Sequence, residues 1–156
     1  MRKRELLRAL EEVEPGDSIT VMGSTHLVDE VAVYEKDGER WRCLVFHAHG
    51  AEFALEIEGG NLVLWSEAEH ERKLAARLKG HPRFMKDPIL GTKIFPSEYR
   101  QKAKMISATN RGMEELEVIY SVYKAEDGYS FAVEDWGEGI HVYSATATLP
   151  AKFVQV

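Results

Sequence analysis

Apolar residues first recur at helical spacing. Leu6, Leu7, Leu10 and Val13 fall on one face, which predicts a helix over residues 3–14, and Pro15-Gly16-Asp17 stops it. Its charges run against the helix dipole, with Arg2, Lys3 and Arg4 at the start and Glu11, Glu12 and Glu14 at the end. Packing of the leucine face is therefore expected to hold it. The period then shortens to two. Residues 19–22, 28–34, 41–48, 52–58 and 62–65 read as strands, with Asp37-Gly38 as a hairpin turn, because glycine tolerates the positive φ of such turns. Residues 52–58 alternate cleanly. Phe53, Leu55 and Ile57 form one face, and Glu52, Ala54, Glu56 and Glu58 form a face expected to be wet.

A second helix is predicted over residues 66–79. Ser66 and Glu69 match a capping box, acidic residues come early, Lys73, Arg77 and Lys79 come late, and Gly80 follows. Residues 81–96 read as a connector, and 97–104 as a short helix. Strands return at 104–109, 116–124, 129–134, 140–146 and 152–156, with Asp127-Gly128 as another turn. Residues 18–38 and 105–128 share an order: strand, glycine loop, acidic pair, valine-rich strand, Asp-Gly. That order raises the question of a duplicated unit.

The expected fold is α+β and β-dominated, with two antiparallel meanders, each a small barrel or half-sandwich, joined by a surface helix and a long connector. One shared sheet or sandwich is the alternative. The domain reading is 1–65 (helix plus meander), 66–103 (basic helix and connector) and 104–156 (second meander).

Charge changes this picture. The chain of 156 residues carries −6 overall. Residues 1–71 hold −9 and residues 112–156 hold −6, while residues 72–111 hold eleven Lys/Arg against two acidic residues, or +9. A basic belt thus separates two acidic arms. Such asymmetry bears on partners rather than on fold. Lys79, Arg83, Lys86, Lys93, Arg100, Lys102 and Lys104 are candidate phosphate contacts. Phe84, Phe95 and Tyr99 are candidate stacking residues. This predicts a non-catalytic binding module for an anionic partner, nucleic acid among the candidates. The alternative is a homo-oligomeric interaction protein whose belt pairs with its own acidic arms.

Other chemistry is sparser. No apolar run reaches the ~18 residues of a membrane span, and no apolar stretch follows the basic N-terminal residues, so neither membrane insertion nor a secretory signal is expected. The single cysteine, Cys43, fits a cytoplasmic setting and sits in an apolar strand as a small hydrophobe. Glu134-Asp135 and Glu114-Glu115-Glu117 are expected to be solvated strand-end charges. Tyr120, Tyr123, Tyr129, Phe131, Trp136 and Tyr143 are expected to be sheet core. No nucleophile elbow, phosphate loop or zincin motif occurs.

His47 and His49, two apart on a strand, could chelate a divalent metal with Glu52 or His141. The run HAHGAEFALEIEG resembles the first motif of the cupin family in its His-x-His, glutamate and glycine. That resemblance implies a metal-dependent β-barrel enzyme, the third functional reading. The glutamate stands one residue too close to the second histidine, and GEGIHVYS lacks the proline and asparagine of a second motif. No cofactor is otherwise expected.

Overall fold

The computed structural model describes residues 2–77, 85–86, 93–96, 101–126, 130–137 and 139–156. In chain order the elements are helix α1 (Lys3–Glu11), strands β1 (Ser18–Val21), β2 (Ser24–Leu27), β3 (Glu30–Lys36), β4 (Glu39–Ala48), β5 (Ala51–Glu58) and β6 (Asn61–Glu67), then helix α2 (Glu69–Arg77). There follow β7 (Met85–Lys86), β8 (Lys93–Pro96), β9 (Gln101–Thr109), β10 (Gly112–Ala125), β11 (Ser130–Asp135), β12 (Ile140–Thr148), a 3-10 turn (Ala151–Phe153) and β13 (Val154–Gln155).

The protein is α+β and β-dominated. The two expected meanders are β3–β6 and β9–β12, and they close on each other. β3 pairs with β9, β6 pairs with β12, and the long β10 pairs with β9 through its first half and β11 through its second. The result is one closed antiparallel barrel of eight strands, β3-β4-β5-β6-β12-β11-β10-β9. Closure removes the exposed edges that two separate meanders would carry. A second, open sheet, β13-β1-β2, lies apart from it in pairing.

The hydrophobic face of the first meander points outward. Val31, Leu44, Phe46, Leu55, Ile57, Leu62 and Leu64 pack with Leu6, Leu10 and Val13 of the N-terminal segment and with Ile19, Val21 and Val154 of the open sheet. This is the main core. A second cluster sets Leu74 of α2 against Tyr123, Phe131, Val133 and Val142, on the outside of the second meander. The opposite faces of the same strands line the barrel interior. The face of β5 expected to be wet, with Glu52, Ala54 and Glu56, is therefore an inner wall.

Asp37 and Gly38 both take positive φ, 49° and 82°, in the β3–β4 turn, as the sequence predicts. The strand expected at 28–34 is β3, which begins two residues later, at Glu30, and a further strand, β2, precedes it at Ser24–Leu27. Two local expectations are corrected. Ser66 does not cap α2: it lies in β6 near Ser144 Oγ, and Glu71 instead accepts the Ala68 amide at 3.1 Å. Residues 101–104 belong to β9 rather than to a helix, since they pair with residues 117–120 of β10. The connector also contributes strand: β7 pairs with β8, and β8 pairs with the end of β10. The turn expected at Asp127-Gly128 lies outside the described residues. Among the described residues no helix is long and apolar enough to cross a membrane.

Candidate functional site: the barrel lumen

Eight strands leave an interior just wide enough for side chains to fill or for one small ligand. Here small residues keep it open. Ala32, Cys43, Ala54 and Ala132 all line a lumenal cavity of about 60 Å³. Ala32 pairs across to Cys43, and Cys43 to Glu56, so strand register brings these side chains onto one inner face. The cavity shares Trp41, Glu56, Trp65, Ala132 and Glu134 with a wider pocket of about 500 Å³, whose rim includes Glu39, Glu58 and Tyr120. That wider pocket is the mouth.

Aromatic rings form much of the wall. Trp41, Trp65 and Trp136 all line the cavity, and they are the three tryptophans of the chain. The Trp41 ring stacks on Tyr34 at 5.3 Å with the planes 1° apart, and meets Tyr120 edge-on at 5.7 Å. Such arrangements suit the ring quadrupoles.

Between the rings stand carboxylates, each held by neutral donors. Glu134 accepts the Tyr34 hydroxyl at 2.7 Å and the Trp136 indole N–H at 3.1 Å. Glu56 accepts the Trp65 indole N–H at 2.8 Å. Glu52 accepts the Tyr143 hydroxyl at 3.0 Å, and Glu30 accepts the Ser107 hydroxyl at 2.6 Å. Burial raises the pKa of Glu134 and Glu52, although their hydrogen bonds work the other way. Burial, reinforced by Glu58, pushes the Glu56 carboxyl up to about 7. Burial also raises the Tyr34 and Tyr143 phenols and the Cys43 thiol, so Cys43 remains an inert thiol.

One end of the lumen carries histidines. His47 Nδ1 lies 2.7 Å from Asp29 and its Nε2 lies 3.4 Å from Glu52. His141 lies 3.4 Å from Glu67 and stacks on Trp136 at 4.1 Å. The hydrogen bond to Glu67 raises the His141 pKa.

The structure brings only some of the sequence-based candidates together. His47 and Glu52 meet, but His49 sits in the β4–β5 turn with φ 53°, which breaks the alternation that would place it beside His47. Among the described residues no group of three or more His, Cys, Asp or Glu is arranged to hold a metal ion. Of the basic belt, Lys102 lies 3.5 Å from Glu117 and Lys104 lies 3.2 Å from Glu115. Lys86, Lys93 and Phe95 fall in β7 and β8, where only the backbone is described. Lys79, Arg83, Phe84, Tyr99 and Arg100 lie outside the described residues.

The expectation that Glu134 is a solvated strand-end charge is overturned: it lies inside the barrel, bonded to Tyr34 and Trp136. Tyr123, Phe131 and Tyr143 are buried core as expected and Trp136 packs against it, while Tyr143 and Trp136 also line the cavity. The lumenal site as a whole escapes a reading of the sequence. Its one signal is that Glu52, Ala54 and Glu56 on β5, and Glu30, Ala32 and Tyr34 on β3, alternate with apolar residues and include no cation. Compared with known proteins, the chain matches no family model, no curated protein and no solved structure.

Proposed function

We propose that the protein is a non-catalytic binding module, cytosolic in keeping with its single reduced cysteine, and that its ligand site is the barrel lumen. The observation that carries this reading is the cavity itself. Aromatic walls with a few fixed polar groups, opening at the mouth of a barrel, are the usual make-up of a small-molecule site. The carboxylates are oriented before any ligand arrives, because each is tethered by an indole or hydroxyl donor. Preorganisation of this kind lowers the cost of binding.

A second reading keeps the basic segment 72–111 as a surface for an anionic partner, nucleic acid included. Its net charge of +9 supports it. The ion pairs of Lys73 with Glu69, Lys102 with Glu117 and Lys104 with Glu115 speak instead for the belt pairing with the protein's own acids.

Amide chemical-shift mapping separates these readings. A library of small amines, acids, alcohols and sugars is titrated, followed by single-stranded DNA, duplex DNA and RNA at two salt concentrations. Shifts centred on Ala32, Ala54 and Ala132, abolished by the lumen-filling Ala132→Phe, are expected. Shifts confined to β9 and its neighbours, with nucleic acid alone and weakening steeply with salt, would replace the lumenal reading with the second.

A further inference from the structure

We propose that the lumen binds a small organic cation, carrying an ammonium, guanidinium or quaternary ammonium group, with its charge facing Glu56 and Glu134 and its apolar part against the tryptophan walls. The inference rests on the reading of the lumen as the ligand site and adds the chemical class of ligand.

Three observations fix that class. First, the walls suit a cation. Rings of tryptophan and tyrosine attract positive charge over their faces, most strongly where water is excluded. Trp41, Trp65 and Trp136 all line the same cavity. Second, the sign of the lining charge is uniform. Glu30, Glu52, Glu56 and Glu134 line the cavity, and neither it nor its mouth has a Lys or Arg among the described lining residues. Indole and hydroxyl donors orient Glu56 and Glu134 without neutralising them, whereas Glu52 also has His47 Nε2 at 3.4 Å. A half-buried carboxylate without a counter-charge is unfavourable, and it takes up either a proton or a cation. Third, the approach has the same sign. Glu39 and Glu58 stand exposed at the mouth. A cleft of one sign draws in ligands of the other.

An organic cation fits better than a metal ion. Glu134 already accepts two hydrogen bonds, the rings between the carboxylates offer no ligating atoms, and the described residues form no metal cluster. Without a cation, a proton on Glu56 supplies that positive charge. That carboxyl faces Glu58 on its own strand, Cys43 on β4, Trp65 on β6 and Glu134 on β11. A bound cation displaces the proton, so binding is expected to tighten between pH 6 and pH 8.

The test uses intrinsic fluorescence of the full chain, since every tryptophan lines the cavity. The probes are choline, benzylamine and agmatine, with 3,3-dimethylbutanol and benzyl alcohol as neutral isosteres of the first two and glucose as a neutral polar control. Choline or benzylamine is expected to change the emission saturably, with affinity at least about tenfold above its neutral isostere, a difference typical of a desolvated cation–aromatic and carboxylate site. Glu56→Gln keeps the acceptor for Trp65 and is expected to erase most of that preference. Glu134→Gln serves as a second variant, with a cooperative melt as the check that each is folded. Equal affinity for cation and isostere, tighter binding of glucose, or a cation preference unchanged in both variants overturns this inference and leaves the lumenal site standing. No response to any probe, charged or neutral, overturns both.

Discussion

The Tyr34 hydroxyl donates a 2.7 Å hydrogen bond to Oε1 of Glu134, across 100 residues of chain. β3 and β11 are not neighbours in the barrel, so this bond crosses the lumen and ties the first meander to the second. Tyr34→Phe leaves the half-buried Glu134 carboxylate held by the Trp136 indole N–H. The expected loss is about 1–2 kcal/mol, near the net worth of a partly buried hydrogen bond. Removing that bond also takes away an influence that lowers the Glu134 pKa. In a Glu134→Gln background the same substitution is expected to cost clearly less. Urea unfolding of the four proteins gives the coupling, and strict additivity would show that the bond contributes nothing across the lumen.

Arg42 resolves a conflict in the sequence. Helix α1 ends in glutamates, against its dipole, yet its last carbonyls are not left bare. The Arg42 guanidinium reaches over from β4 and donates to the carbonyls of Glu11 and Val13. Its charge meets the negative end of the helix, and Leu6 and Leu10 beside it are buried in the main core. Arg42→Met keeps the stem and removes both bonds. A loss of about 2–3 kcal/mol is expected, in the range for hydrogen bonds to a charged group. Hydrogen exchange should rise first in residues 6–13. Arg42→Lys should recover part of the loss, because one ammonium cannot reproduce the guanidinium fork. Unchanged exchange in α1 would contradict the anchoring role.

The raised carboxyl of Glu56 makes an unusual contribution to stability. Its folded value, about 7, lies above the ordinary value of 4.5. The folded state therefore holds the proton more tightly than the unfolded state does. Its contribution is complete below about pH 4.5 and is lost as pH rises through about 7, by up to about 3 kcal/mol. His141 acts in the same direction, since its pKa is also raised and its contribution fades as pH rises. Ordinary acid denaturation works oppositely, so the comparison must be with Glu56→Gln. Wild type minus variant stability is expected to fall between pH 5 and pH 8 without ligand. A flat difference would mean that the carboxyl titrates as a solvated group.

These cases show where the sequence speaks and where it is silent. The strand pattern located β4, β5 and β6, and clean alternation over residues 52–58 identified the apolar face of β5, because that face is buried. It cannot say what covers that face. In β5 the apolar set, Leu55 and Ile57, lies beneath the N-terminal segment and the open sheet, while Glu52 and Glu56 turn into the lumen. A glutamate face reads as wet in either arrangement. Closure of the barrel depends on β3 meeting β9 and β6 meeting β12, and neither register is marked by a local turn. The lumen draws on β3, β4, β5, β6, β11 and β12, so no short motif could have announced it. The Asp37-Gly38 turn was legible because its backbone demand is local.

Lys102 and Lys104 sit on β9 opposite Ile119 and Glu117 of β10, and each reaches diagonally to the glutamate two residues earlier on β10, Glu117 and Glu115 respectively. All four side chains are exposed, at 71% and 69% for the first pair and 47% and 64% for the second. Exposed cross-strand pairs gain little, because water and salt screen them and long side chains lose freedom. Lys102→Ala with Lys104→Ala is therefore expected to cost less than about 1 kcal/mol in urea unfolding, with most of that loss gone at high salt. The same double variant discriminates between the two uses of the belt. If these lysines are engaged with their own glutamates, weak binding to single-stranded DNA or RNA should be unchanged by their removal. If they contact phosphates, each lost contact should lower the salt slope by about one. A slope reduced by two, with stability untouched, would assign the belt to an anionic partner.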